Sequence, residues 1–169
     1  MQNTSLCYIQ KDNSYLMLHR IKKENDLNHD KWIGIGGKFE ADESPDQCLL
    51  REVYEETGLQ LRQWQCRGVV TFLSDEWEGE YMYLFTADRF TGTLSENCAE
   101  GVLEWVDLAR IPDLPLWMGD LIFFKLLEEN SSFFLLTLKY VGERLIFASL
   151  NGQEIDIDSF MLTGAIALK

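Results

Sequence analysis

The chain has 169 residues, 46% of them hydrophobic, and carries 15 Lys plus Arg against 28 Asp plus Glu for a net charge of −13. That length suits one domain whose core needs no covalent staples. The acidic balance speaks against a protein that tracks a nucleic-acid backbone, and no apolar run approaches the roughly 18 residues of a membrane-spanning helix.

The first fifteen residues lack a basic segment followed by an apolar stretch, so the cytoplasm is the expected compartment. Cys7, Cys48, Cys66 and Cys98 show no CxxC or CxxxC spacing and read as reduced, mostly buried thiols. Residues 4–10 and 15–19 are apolar runs around Lys11-Asp12-Asn13-Ser14, which predicts a hairpin. Residues 21–31 are polar and without periodicity, a loop, before residues 32–35 return to a strand that leads into Gly36-Gly37. His19 and His29, the only histidines, read as structural or exposed.

Ser44-Pro45-Asp46-Gln47 is a helix start, with Ser44 as N-cap, Pro45 first in the helix and Gln47 as capping-box partner. Leu49/Val53 and Leu50/Tyr54 are i,i+4 apolar pairs that can anchor it, and Gly58 stands where a C-cap glycine belongs. The predicted helix spans residues 45–57. Its polar face sets Glu52, Glu55 and Glu56 within one turn. Each exposed like-charge pair costs only roughly 0.2–0.5 kcal/mol, so a solvated acidic face and a cation site both remain open. Hard oxygen ligands at this spacing suit Mg²⁺ or Mn²⁺.

Residues 59–73 and 81–87 read as two longer strands joined by the acidic segment 74–80, a second hairpin. A loop over 89–99, a strand over 101–106 and a helical turn over 107–111 halted by Pro112 follow. A helix is predicted over 120–129, for which Asp120 is a good N-cap. Residues 133–140 and 144–150 form a third hairpin, and Asn151-Gly152 turns the chain towards 154–157. Residues 159–169 are apolar enough to pack back, yet suit a free tail as well.

Gly37, Glu43, Arg51, Glu52, Val53, Glu55, Glu56, Gly58 and Leu59 match every fixed position of the Nudix box, Gly-x5-Glu-x7-Arg-Glu-aliphatic-x-Glu-Glu-x-Gly-aliphatic, across residues 37–59. On these residues the chain resembles the Nudix hydrolases of nucleoside diphosphate derivatives. The resemblance implies an α/β (α+β) fold over residues 1–169, a single Nudix-type α/β/α sandwich with a mixed, curved sheet flanked by helices. It implies Mg²⁺, with Mn²⁺ as a substitute, a water nucleophile, a small-molecule nucleotide substrate, and neither nucleic-acid nor membrane partners. Glu52, Glu55 and Glu56 are then metal ligands, joined by the Gly37 carbonyl, with Glu52 and Glu56 the two candidates to take the water's proton. Arg51 is expected to orient Glu43 and a ligand glutamate by bidentate hydrogen bonds. A further ligand often comes from outside the box; Glu100 is the expectation, with Glu96 and Glu104 as competitors. Lys38 fits a phosphate contact or an exposed loop lysine.

The resemblance is nearest to the MutT-like oxidised purine nucleoside triphosphatases, which sanitise the nucleotide pool ahead of DNA repair. It is carried by Trp32-x-Gly-x-Gly-Gly-Lys38, Phe72 and Trp117-Met-Gly-Asp120. It implies that Trp117 stacks on the purine and Asp120 hydrogen-bonds its edge, whereas the residues alone also allow Trp117 as core and Asp120 as a cap. Tyr81 fits a base-stacking residue or a half-buried strand aromatic. Ile33 stands where the mammalian member has a base-reading asparagine, and Gly119 replaces the first of its two adjacent aspartates. Losing a polar partner loosens base discrimination. Hydrolysis of 8-oxo-dGTP to the monophosphate and pyrophosphate is therefore one expectation; a Nudix hydrolase of ADP-ribose or a sugar nucleotide is another, and a nucleotide sensor without turnover a third. The intact Arg-Glu-x-x-Glu-Glu array speaks against the sensor. Monomer and homodimer both fit, because the aromatic-rich C-terminal region suits an interface or a core.

Overall fold

A computed structural model describes residues 1–169, and its functional loop sits in a gap in the first hairpin. β1 (Gln2–Lys11) and β2 (Ser14–His19) pair antiparallel only near their turn, from Lys11–Ser14 to Ile9–Leu16. Beyond that they part, and residues 32–38 enter between them. β3 (Trp32–Ile33) pairs with β2 through Leu18–Ile33 and His19–Trp32, while Ile35 and Lys38 bridge to Cys7 and Thr4 of β1. The expected strand over 32–35 shrinks to two residues because single bridges, not a ladder, hold the rest. Gly36 makes the wedge possible: a Cβ there would fall 1.9 Å from the Ser5 carbonyl oxygen.

β4 (Gln60–Ser74) and β5 (Glu80–Thr91) form the second expected hairpin. β5 runs on into residues expected as loop because β4 stays paired with it as far as Gln60–Thr91. The remaining order is non-local. β1 lies parallel to β5, and β4 lies parallel to β7 (Phe134–Val141), which continues antiparallel to β8 (Arg144–Leu150) and then β9 (Gln153–Glu154). With β6 (Val102–Asp107) against β2, the result is a nine-stranded mixed sheet.

Each face of the sheet carries a helix, the α/β/α arrangement expected. α1 (Pro45–Thr57) starts at Ser44, whose Oγ accepts from the Gln47 amide at 3.4 Å while Gln47 Oε1 accepts from the Ser44 amide at 2.9 Å, and it closes at Gly58 with φ 74°. Leu49 and Val53 bury completely against Cys7, Ile9, Leu16, Leu18 and Ile35. Tyr54 of the second expected anchor pair is instead 56% exposed. On the other face α2 (Asp120–Glu128) sets Ile122, Phe123, Leu126 and Leu127 against Tyr8, Met17, Phe134, Leu136, Leu138 and Tyr140. The alternate side chains of β7, Phe134, Leu136, Leu138 and Tyr140, therefore belong to the core, while Leu135 and Val141 are exposed. Full burial of such a side chain contributes roughly 1.5–3 kcal/mol.

Three local expectations change. A 3-10 helix, Leu108–Asp113, passes through Pro112, since a short segment loses only one hydrogen bond to a missing N–H. Asp120 is the first residue of α2 and not its cap: Gly119 occupies the cap position, after a turn closed by the Asp120 amide on the Trp117 carbonyl at 2.9 Å. Residues 157–163, expected as the end of an extended segment and the start of a tail, form α3 (Ile157–Thr163), capped by Asp156 on the Ser159 amide at 3.0 Å. Phe160 is buried and Ile155 bridges to Leu168, so the last residues pack back. No helix is long and apolar enough to cross a membrane. All four cysteines are free, three buried and Cys66 half-buried.

Candidate active site

The wedge delivers Gly36 and Gly37 against the polar side of α1. A Cβ on Gly37 would fall 2.6 Å from the Glu52 carboxylate, so the glycine is the space that Glu52 uses. Glu56, one turn on and buried, accepts from the Gly36 amide at 3.2 Å. Glu100, from the loop before β6, approaches Glu56 from the far side and is ion-paired to Arg20 and, at 2.8 Å, to Lys23. Burial, then the charge of Glu100, push the Glu56 carboxyl up to about 8. Burial also raises Glu52, although Arg51 opposes the shift. Glu100 moves the other way: burial opposes it, but the Lys23 hydrogen bond and the Arg20 charge hold it below the usual carboxylate range.

Arg51 organises the rim of this cluster. Its Nε and Nη2 donate to the two oxygens of Glu43 at 2.8 and 2.9 Å, and its Nη1 donates to Glu52 at 2.6 Å and Glu55 at 3.2 Å. A fifth hydrogen bond, Nη2 to the Lys38 carbonyl at 3.0 Å, ties the glycine loop to the helix. The Arg51 hydrogen bond holds Glu43 down to about 2.

From the carboxylates a cleft of about 550 Å³ runs to the inner end of α2. Gly37, Lys38, Glu52 and Glu100 line one part and Phe72, Trp117, Asp120 and Tyr140 the other. Trp117 stands edge-on to Phe72 and Tyr140, with ring centroids 5.7 and 5.0 Å away. Its Nε1 donates to Asn28 at 2.9 Å, and the Lys31 ammonium lies 4.8 Å from its ring centroid. Burial pushes the Asp120 carboxyl up to about 8.

The NUDIX domain family model matches residues 2–127. The chain belongs to the Nudix hydrolase family. It is 34% identical over 124 residues to an uncharacterized Nudix hydrolase, YvcI, of Bacillus subtilis, covering 71% of this chain and 75% of that protein. It is 30% identical over 112 residues to an oxidized purine nucleoside triphosphate hydrolase of Danio rerio, covering 66% and 71% respectively. The crystal structure of a MutT protein from Bacillus halodurans superposes with a TM-score of 0.78 at 26% identity, covering 89% of this chain and 98% of that one.

As a Nudix hydrolase the protein acts on nucleotide derivatives, in a family that works with divalent metal ions. The donors present fit such an ion: Glu52, Glu56 and Glu100 carry crowded negative charge around the glycine pair, and all offer hard oxygens. The three do not yet converge on one point. Glu52 is turned to Arg51, and Glu100 to Arg20 and Lys23. The Gly37 carbonyl accepts the Ser5 amide at 2.9 Å and the Cys48 thiol at 3.5 Å, so it would have to give up the weaker thiol contact to reach a cation.

The other expected residues separate by position. Glu55, with a side chain 58% exposed, sits on Arg51 outside the carboxylate cluster. Glu52 and Glu56 lie i,i+4 on one helical line, and Glu55 falls beside it. Of the three acids outside the box, Glu100 lines the cleft, whereas Glu104 lies in β6 and pairs with Arg110 at 3.0 Å, and Glu96 is exposed. Tyr81 does not line the cleft and is 42% exposed; strand alternation turns Glu80 and Met82 inward instead. Lys38 and the apolar Ile33 both face it. His19 stacks on Trp32 at 4.6 Å and bonds Asp30, a structural role. Sequence reading missed Arg20, Lys23, Asn28, Tyr8 and Tyr140, all cleft-lining. The first three lie in or beside an aperiodic loop, and the tyrosines look like ordinary strand aromatics.

Proposed function

We propose that the protein hydrolyses purine nucleoside triphosphates, oxidised purine deoxynucleotides such as 8-oxo-dGTP among them, to the nucleoside monophosphate and pyrophosphate. The observation that carries this reading is the single cleft joining the carboxylates at Gly36-Gly37 to the aromatic and acidic end at Phe72, Trp117 and Asp120. A triphosphate spans two such ends; the name of the zebrafish relative supports the same substrate class.

Glu52, Glu56 and Glu100, with the Gly37 carbonyl and Glu55 at the rim, would hold Mg²⁺ or Mn²⁺. When bound, the cations supply charge neutralisation on the phosphate chain and an acidified water. Glu52 or Glu56 accepts the proton of the attacking water, and Arg51 with Glu43 keeps Glu52 in position. Arg20, Lys23 and Lys38 are the cations that meet phosphate oxygens, Arg20 and Lys23 by exchanging Glu100 for substrate. Trp117 and Phe72 supply apolar faces for the base, and Asp120 meets its polar edge.

The test is pyrophosphate release with Mg²⁺ from 8-oxo-dGTP, dGTP, the other deoxynucleoside triphosphates and ADP-ribose, comparing wild type with Glu56→Gln. Triphosphate turnover that the substitution lowers by at least about 10³-fold supports the reading. Turnover of ADP-ribose alone moves the assignment to diphosphate substrates, and no turnover at all with either metal moves it to a sensor.

A further inference from the structure

At the inner end of the cleft the Tyr140 hydroxyl is only half used. Its oxygen accepts the Gly119 amide at 2.8 Å, while its own proton has no partner in the protein. Burial pushes its ionisation far up, and the nearby Asp120 adds to the shift, so it stays a donor. The hydroxyl and the glycine depend on each other. A Cβ at position 119 would fall 2.7 Å from Tyr140 Oη and 2.5 Å from Leu138 Cδ1. Gly119 therefore admits the hydroxyl, and the hydroxyl takes the place of a side chain there. Next to it Asp120 is buried, its carboxyl met by the Trp117 backbone but by no other side chain at hydrogen-bond distance, and both residues line the cleft. Tyr140 comes from β7, beyond the residues 2–127 that carry the family resemblance.

We infer that Tyr140 is a specificity-determining residue, whose hydroxyl, held by the Gly119 amide, donates to the carbonyl of a 6-oxopurine while Asp120 accepts the adjacent ring N–H. This rests on the nucleoside triphosphate reading and narrows it to a base class. With its oxygen occupied by the Gly119 amide, the hydroxyl offers a proton and requires an acceptor. A carboxyl accepts an N–H in either protonation state. A carbonyl beside a ring N–H is the edge of guanine, 8-oxoguanine and hypoxanthine. A 6-aminopurine presents N–H₂ to the Tyr140 proton and a bare nitrogen beside it, leaving a buried polar group unmatched.

The experiment measures equilibrium binding of dGMP, dIMP and dAMP, together with kcat and KM for dGTP, 8-oxo-dGTP and dATP. Wild type, Tyr140→Phe and Gly119→Ala are compared, with unfolding midpoints for each. Wild type is expected to bind dGMP and dIMP alike and at least about tenfold tighter than dAMP, one hydrogen bond's worth of discrimination. Tyr140→Phe is expected to remove about that tenfold, through KM, with kcat within about threefold. Gly119→Ala displaces the hydroxyl without deleting it and is expected to lose the same ratio. Equal binding of dIMP and dAMP by wild type overturns the inference, as does an unchanged dGMP to dAMP ratio in either folded variant. Base-selective binding that depends on Tyr140, with no triphosphate turned over, sinks the triphosphatase reading and leaves the base reading standing.

Discussion

Arg51 and Glu43 meet as two parallel hydrogen bonds, Nε to Oε1 at 2.8 Å and Nη2 to Oε2 at 2.9 Å, and the same guanidinium reaches Glu52 at 2.6 Å. Lysine keeps the charge and loses the fork. Arg51→Lys is expected to lower kcat/KM and metal affinity by about 10–100-fold while barely moving the unfolding midpoint. Metal titration followed by calorimetry, beside steady-state kinetics, checks it. An unchanged metal affinity would mean that Glu52 needs no such support.

The two adjacent glycines should fail differently. Gly36→Ala drives a Cβ into the Ser5 carbonyl, at 1.9 Å, and is expected to destabilise the fold by at least about 3 kcal/mol or leave it insoluble. Gly37→Ala meets the Glu52 carboxylate at 2.6 Å, a flexible side-chain end, and is expected to fold while losing most activity. Circular dichroism melts paired with turnover assays distinguish the two.

Asp120 gives a stability profile whose sign is opposite to that of a salt-bridged acid. Its carboxyl is raised from 3.8 to about 8 by burial, so the native state keeps a proton that the unfolded chain releases. Its contribution is intact below pH 3.8 and is lost as pH rises towards 8. The slope is at most about 1.4 kcal/mol per pH unit. Asp120→Asn stays neutral in both states, so the stability of the variant relative to wild type is expected to rise between pH 5 and 7.5. Urea denaturation at those two pH values measures it, and a parallel profile would show that Asp120 is already ionised when folded.

The family match ends at residue 127, yet the core does not. Phe134, Leu136, Leu138 and Tyr140 of β7 are at most 1% exposed and pack under α2. At roughly 1.5–3 kcal/mol each, their loss is comparable to the about 5–15 kcal/mol that holds a typical domain. A chain ending after Glu128 is expected to be unfolded by circular dichroism and hydrogen exchange. A cooperative melt from it would show that the C-terminal strands are an accessory.

What could be read from the residues was what local chemistry writes. The capping box at Ser44 and Gln47 and the glycine at 58 fixed both ends of α1, and the box spacing fixed which carboxylates to watch. Parallel pairing of β1 with β5 and of β4 with β7 joins segments far apart in the chain, and no local pattern encodes it. Helix α3 has its signals, Asp156 before and Gly164 after, but seven residues are too few for periodicity to show. For Tyr81 the residue type was suggestive and the facing was not, since one position along a strand reverses it. Glu55 was inseparable from Glu56 until the helix was laid against the glycine loop.

Residues 21–31 leave and rejoin the sheet at one point: the Arg20 amide donates to the Lys31 carbonyl at 3.0 Å, and the Asp30 amide to the Arg20 carbonyl at 2.7 Å. That clamp closes the excursion before β3 begins, so what happens inside it does not alter the register in which the glycine loop is seated. Yet Lys23 and Asn28, both inside it, reach the cleft. The excursion is an exchangeable cassette. Its side chains away from Lys23 and Asp26, which bear on Glu100 directly or through Arg20, can be rewritten, by drift or by design, to retune what the cleft admits, while Gly36, Gly37 and the glutamates of α1 stay where they are.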